Sequence, residues 1–107
     1  MLDPIDDIHA DMRGYREKVA LGRQYENLFR SPEFQKLVLE GYLRDEAVRL
    51  THSLGMPGTD TAAIHQQLNA VGHFANYLEN IKQQANAAQL SLEDAGRMLE
   101  RLYEERL

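Results

Sequence analysis

The chain contains no cysteine among its 107 residues. Disulfide bonds and thiolate metal sites are therefore excluded, and a reducing compartment suits this composition. No long apolar run occurs either, so the sequence predicts no transmembrane span and no membrane partner. The first four residues, Met1 to Pro4, lack the basic start and apolar centre of a signal peptide. We therefore expect the protein to stay in the cytoplasm where it is made.

Basic residues are also scarce: the chain has 12 of them against 17 acidic residues, and its formal net charge is −5. Nonspecific nucleic-acid affinity depends on basic side chains that neutralise phosphates, so nucleic acid is not an expected partner. Near the N-terminus, an acidic stretch precedes a basic one that contains Arg13, Arg16, Arg23 and Arg30. This order suits the dipole of a single helix. The alternative is that these four arginines face an anion.

A first helix is predicted over residues 4–29. Asp3 can cap it, and Pro4 suits its first position. Its apolar residues recur at steps of three and four, at Ile5, Ile8, Met12, Tyr15 and Val19. This spacing is typical of a coiled-coil seam, but it lasts less than three heptads. Packing against neighbouring helices is therefore expected rather than an autonomous coiled coil.

A second helix is predicted over residues 32–54, because Ser31 can cap it and Pro32 fits its first turn. Apolar side chains form two strips on this helix, so it should contact two layers. One strip contains Phe34, Leu37, Val38, Tyr42, Val48 and Leu54, and the other Leu39, Leu43, Ala47 and Leu50. Gly55 is placed as the residue just past the helix end, and Pro57 prevents continuation.

A third helix is predicted over residues 61–88, after a loop rich in turn formers. Ile64, Val71, Leu78 and Ala85 repeat every seven residues along it. Ser91 begins a sequence that resembles a capping box, which predicts a separate fourth helix over 92–106. Direct continuation of the third helix is the alternative. Glycines at Gly41 and Gly72 suggest that the second and third helices cross closely there, or that the second bends at Gly41.

The fold expected from these elements is all-α, with three or four helices in one elongated antiparallel bundle that occupies residues 1–107. The third helix alone would be about 40 Å long, whereas a compact domain of this size has a radius of gyration of about 13 Å. A second copy of the chain, or another protein, is the natural cover for the exposed part of such a helix. We therefore expect an oligomer.

The sequence offers little for chemistry. Four histidines, His9, His52, His65 and His73, never occur as a close i, i+4 pair, so no metal site is predicted. No nucleophile motif is present, so no catalytic residues and no cofactor are assigned and the protein is not expected to be an enzyme. Asp45 and Arg49 have the spacing of a helical ion pair, and a solvated pair is expected. The alternative is a buried charged cluster that also includes Arg44 and Glu46. A helix-turn-helix around residues 44–68 is not favoured, because its second helix would begin without basic side chains.

Two stretches of the sequence resemble a known class of proteins. The first is Ser31-Pro32-Glu33-Phe34-Gln35-Lys36-Leu37, with Glu40-Gly41-Tyr42-Leu43 and Asp45-Glu46-Ala47-Val48-Arg49-Leu50. The second is Leu68-Asn69-Ala70-Val71-Gly72-His73-Phe74, with Tyr77-Leu78 and Ile81. Together they resemble small helical proteins, often coil-containing and uncharacterised, that are encoded among the head and assembly genes of tailed bacteriophages. The resemblance covers about residues 25–82.

The resemblance implies a virion component or assembly factor that binds copies of itself and other phage structural proteins. Its location would be the cytoplasm of the bacterial host, or the virion. The predicted interface residues are Ile8, Tyr15, Phe74, Leu78 and Ile81, because large apolar anchors usually dominate binding energy; each could instead belong to the core. The alternative function is a small regulator or inhibitor that binds a host protein or nucleic acid through the basic stretch of the first helix.

Overall fold

The computed structural model describes residues 3–106, and all regular structure in this range is helical. The first helix, α1, is Pro4–Phe29, which has the bounds predicted from the sequence. The Asp3 carboxylate caps it by accepting a hydrogen bond from the Ile5 N–H at 2.9 Å. This bond satisfies one of the donors that a helix start leaves unpaired. The all-α prediction is confirmed.

The second helix, α2, occupies residues 32–53 and changes its winding twice. It consists of a turn of α-helix, Pro32–Phe34, a π-helix, Gln35–Glu46, and a second α-helical segment, Ala47–Ser53. The Ser31 hydroxyl caps α2 by accepting the Phe34 N–H at 3.3 Å. Backbone bonds in a π-helix reach back five residues. A Cβ added at Gly41 would lie 3.1 Å from the carbonyl oxygen of Lys36, five residues earlier.

The last helical residue of α2 is Ser53 and its C-cap is Leu54, so Gly55 lies just past the helix end, as predicted. The last turn of α2 tightens through bonds that reach back three residues, such as the Gly55 N–H to the His52 carbonyl at 3.2 Å. Gly55 is therefore not in the left-handed conformation, and within residues 3–106 the positive φ belongs to Gly58, at 77°. Asp60 then starts the next helix, because its carboxylate accepts the Ala63 N–H at 3.1 Å.

The third helix, α3, is Thr61–Arg106, and it continues through the position where a fourth helix was expected to begin. The prediction of a separate helix over 92–106 is wrong. Its physical reason lies in the apolar repeat, since Leu78, Ala85, Leu92 and Leu99 continue at steps of seven. A break at Ser91 would have shifted this phase and turned the later apolar residues away from their partners.

Contacts divide the chain into two compact units. The central unit is Glu26–Asn80, and the terminal unit combines the residues up to Tyr25 with those from Ile81 onward. The core of the central unit is formed by Leu50, Ile64 and Val71, with Leu43, Ala47, Leu54 and Leu68 packed against it. The strip of α2 that contains Leu43, Ala47 and Leu50 faces this core. From the other strip Leu54 also packs against it, whereas Val48 is 50 % exposed. The single-domain, elongated-bundle prediction stays a prediction.

The terminal unit is an antiparallel pair formed by α1 and the last part of α3. Arg106 donates to both carboxylate oxygens of Asp3 at 3.0 Å, and at the other end Gly22 meets Ala85. A Cβ added at Gly22 would lie 2.3 Å from the Ala85 Cβ, so only glycine permits this approach. The predicted close crossing at Gly41 and Gly72 is wrong. Within residues 3–106, no atom lies within 4 Å of a Cβ added at Gly72, and a Cβ added at Gly41 approaches only its own helix.

Candidate interaction surface

A shallow cleft runs between the two helices of the terminal unit. It consists of two adjoining hollows of about 250 and 120 Å³. Tyr15 and Ser91 line both hollows and therefore mark the middle of the cleft. The larger hollow is completed by Ile8, Asp11, Asp94, Ala95 and Met98, and the smaller by Lys18, Gln84, Ala87 and Ala88. We call this surface the hairpin cleft.

The hairpin cleft exists because large and small side chains are unequally divided between its two walls. The α1 wall contributes Ile8 and Tyr15, whereas most positions on the α3 wall are alanine or serine. Two helices alone cannot cover both sides of their contact, so Ile8 and Tyr15 remain half-buried. Met98, at the rim, is 53 % exposed. The cleft is thus an apolar surface that a third layer could cover.

No family model, curated protein or solved structure matches this chain. Function can therefore be inferred only from the geometry and charges of residues 3–106. Within residues 3–106, histidine and carboxylate side chains form no group of three or more that could hold a metal ion. In the same part of the chain, no helix is both long and apolar enough to cross a membrane.

Charge is distributed unevenly along the hairpin cleft. Asp11 and Asp94 lie at one end, and Lys18 lies at the other. Asp94 is in an ion pair with Arg97 on the same helix. Asp11 and Lys18 are exposed and take part in no ion pair within residues 3–106. Both charges are therefore available to a molecule that covers the cleft.

The predicted interface residues fall in different places. Ile8 and Tyr15 both line the hairpin cleft. Phe74, in the central unit, packs edge-to-face on Tyr42 with ring centroids 5.8 Å apart. Leu78 is buried by the chain itself, with 7 % of its surface exposed, and so belongs to the core. Ile81 is half-buried on α3 in the terminal unit.

The four arginines proposed to face an anion are all exposed. Arg13, Arg16 and Arg23 lie on α1, and Arg30 follows its last residue. None of them is in an ion pair with another residue of the described range 3–106. They do not line the hairpin cleft. An anion-binding role for them stays a prediction.

Other ion pairs lie on exposed helix surfaces. Asp45 pairs with the neighbouring Arg44 at 3.0 Å, and Arg49 pairs with Glu46, so the predicted Asp45–Arg49 pair is wrong. The hydrogen bond from Arg49 lowers the pKa of the Glu46 carboxyl. Exposed pairs of this kind contribute little to stability, because water and salt screen them. They are a solvated helix surface rather than a buried charged site.

Most of the hairpin cleft does not follow from the sequence pattern. Ser91 has the composition of a helix cap, and Asp11 and Lys18 fit the order of acidic and basic residues that suits a helix dipole. A signal was present in the uninterrupted seven-residue repeat of α3. It indicates that α3 has apolar residues to present to α1 along its whole second half. If α1 packs against this unbroken helix, Tyr15 lies opposite its small residues Ala88, Ser91 and Ala95.

Proposed function

We propose that this protein is a non-enzymatic helical interaction protein that acts by self-association and by docking to other proteins. The observation that carries the proposal is the exposure of large apolar side chains in both units. In the central unit Leu37 is 71 % and Tyr77 60 % exposed, and in the terminal unit Leu90 is 64 % and Met98 53 % exposed.

The kind of surface exposed supports the same proposal. Large apolar side chains with more than a third of their surface exposed are Leu21, Leu28, Phe29, Leu37, Tyr42, Val48, Met56, Tyr77, Leu90, Met98 and Tyr103. The buried apolar residues are fewer, namely Ile5, Leu50, Ile64, Val71, Leu78, Ala88 and Leu99. Isolated exposed apolar residues are ordinary on soluble proteins. Covering the exposed side chains of residues 3–106 with another protein would remove apolar surface from water and stabilise the complex.

The arrangement of the helices indicates how the surface would be covered. A pair of helices buries one line of contact, and packing two such pairs face to face adds a second layer around a shared core, as in four-helix bundles. We therefore propose an oligomer of helical hairpins.

The resemblance of residues 31–50 and 68–81 to small phage-encoded helical proteins supports a more specific role. On this basis we propose that the protein is a virion component or assembly factor of a tailed phage. It would bind other virion proteins after it has formed its own oligomer, in the host cytoplasm or in the particle. Except for Ile81, both stretches of resemblance belong to the central unit, so the hairpin cleft of the terminal unit lies outside them.

Sedimentation velocity of the purified chain tests the proposal. We expect a species whose mass is a multiple of 12.3 kDa at micromolar concentration, in physiological salt. Dilution should dissociate it, because the association depends on concentration. A chain that sediments as a monomer at about 100 μM, where even weak specific pairs associate, contradicts self-association.

A second function, binding of an anionic partner, is favoured by the exposure of Arg13, Arg16 and Arg23 on one helix. Binding of this kind weakens steeply with salt, because displaced counterions drive it. Replacing these three arginines by glutamine should then reduce the affinity for a DNA duplex and flatten its salt dependence. An affinity unchanged by the substitutions, or no measurable affinity in 50 mM salt, contradicts this function.

A further inference from the structure

The two ends of the terminal unit have opposite charge. Residues 16–25 and 81–92, which surround the Lys18 end of the hairpin cleft, carry a net charge of +3. Residues 3–13 and 93–106, which surround the Asp11 end, carry a net charge of −5. Tyr15 and Ser91 lie between these ends. Among the residues that line the hairpin cleft, the charged ones are Asp11 and Asp94 at one end and Lys18 at the other.

A partner that matches such a face must place positive charge over the acidic end and negative charge over the basic end. The same face, turned end over end, meets this requirement. Two identical hairpins can stack face to face about a two-fold axis in either of two directions. An axis parallel to the helices places the acidic ends together, so that Asp11 and Asp94 of both copies repel. An axis across the helices places each acidic end over the partner's basic end.

We infer that a second copy of this chain occupies the hairpin cleft, reversed end for end, with Lys18 of each copy facing Asp11 of the other. This inference rests on the self-association proposed above and assigns its surface and orientation. The axis passes close to Tyr15, because Asp11 precedes Tyr15 by four residues and Lys18 follows it by three. Asp11 and Lys18 are about 10 Å apart along the helix. A two-fold rotation about an axis midway between them brings Lys18 of each copy opposite Asp11 of the other.

The shape of the cleft agrees with this arrangement. The α3 wall is lined by small residues, including Ala88, Ser91 and Ala95. Small residues allow another helix to approach closely and leave space for a large side chain. Tyr15 is the largest side chain in the middle of the cleft. Because an axis across the helices lays α1 on the partner's α1, the Tyr15 side chains of the two copies meet next to the small residues of α3. Tyrosine is among the residues most enriched at such centres.

Exchanging the two charges tests the inference in the full-length chain. Lys18→Glu leaves two carboxylates facing each other at both ends of the dimer, and Asp11→Lys leaves two ammonium groups facing each other. We expect each variant alone to dimerise at least about tenfold more weakly than the wild type, measured by sedimentation velocity. An equimolar mixture of the two should recover the wild-type affinity, because both contacts then join opposite charges.

Two further variants control for charge in general. Glu17→Lys makes the same charge change as Asp11→Lys on the same helix, and Lys82→Glu matches Lys18→Glu; neither residue lines the cleft. Both should dimerise like the wild type. All four positions are exposed, so circular dichroism should show unchanged helix content. The double variant Lys18→Glu, Asp11→Lys should dimerise by itself, because both charges of each contact are exchanged and each contact still joins opposite charges.

The outcomes separate this inference from the proposed function. A monomeric wild type overturns both. An oligomeric wild type with unaffected Lys18→Glu and Asp11→Lys variants leaves self-association standing and overturns the assignment of the hairpin cleft. Weakened single variants that fail to complement each other overturn the reversed orientation. Recovery in the mixture, with normal controls, supports both the surface and its orientation.

Discussion

Replacing Gly22 by alanine should destabilise the protein, although the same change elsewhere on α1 should stabilise it. The new Cβ would lie 2.3 Å from the Ala85 Cβ, whereas apolar carbon atoms pack at about 3.5–4.0 Å. The two helices must therefore separate by more than 1 Å at this point, and overpacking of this kind costs about 1–3 kcal/mol. Alanine recovers about 1 kcal/mol of helix propensity. We expect a net loss of about 1 kcal/mol.

Gly14→Ala is the matched control. Gly14 lies on the same helix, and an added Cβ there meets no atom within 4 Å. Only the propensity gain applies, so this variant should be stabilised by about 0.5–1 kcal/mol. Urea denaturation followed by circular dichroism measures both variants. The prediction is that Gly22→Ala lowers the free energy of unfolding and Gly14→Ala raises it.

A reciprocal substitution identifies the contact itself. Ala85→Gly removes the Cβ that Gly22→Ala would strike, and the Ala85 Cα lies at an ordinary contact distance of 3.8 Å from the added Cβ. The double variant has the same number of glycines as the wild type and should recover most of its stability. Coupling between the two sites should be about 1 kcal/mol or more. Additive effects, or a Gly22→Ala variant as stable as Gly14→Ala, would show that the helices do not meet here.

Three further predictions follow from local contacts. Ser31→Ala removes the cap of α2 and should lower the free energy of unfolding by about 0.5–2 kcal/mol. Leu50→Ala empties the centre of the central core, where Leu50 is 2 % exposed, and should cost about 2–5 kcal/mol in a urea titration. The pKa of Asp3 is lowered, first by the Ile5 N–H and then by Arg106, so its stabilising contribution is present near neutral pH and disappears as the pH falls below about 4. Asp3→Asn, measured by thermal unfolding between pH 7 and 3, should reduce that acid loss.

Each of these has an internal control. Thr59→Ala should be nearly neutral, because Asp60 rather than Thr59 caps α3. Leu37 is 71 % exposed, so Leu37→Ala should change the stability by less than about 0.5 kcal/mol. If Leu50→Ala and Leu37→Ala lowered the free energy of unfolding equally, Leu50 would not be at the centre of the core. An acid transition unchanged by Asp3→Asn would mean that other carboxylates dominate it.

Features decided by neighbouring residues could be predicted from the sequence. The start of α1 depends on Asp3 and Pro4, and the start of α2 on Ser31 and Pro32, so the chemistry that fixes each boundary lies within one turn of helix. The seven-residue repeat likewise gave the buried positions of α3, including Ile64 and Val71. Capping and periodicity act over a few residues, and both are visible without knowledge of the fold.

Features decided by distant residues were not predicted. Ser91 has the composition of a cap, but contact with α1 and the continuing apolar repeat favour an unbroken helix. Gly22 and Gly72 look alike in the sequence, yet only Gly22 has a helix against it. The π-helical winding of residues 35–46 has no local signature that we identified. The hairpin cleft depends on pairing across more than 60 residues, which a reading along the chain does not supply.

The terminal unit is assembled from the two ends of the chain, and this constrains the order in which the protein folds. Its helices come together only when the whole segment between Tyr25 and Ile81 forms a closed loop, and such closure costs entropy that grows with loop length. The central unit needs only a short turn to bring α2 onto α3. We therefore expect the central unit to fold first and to shorten the effective loop between α1 and the end of α3. The hairpin cleft, and any assembly that depends on it, should form last.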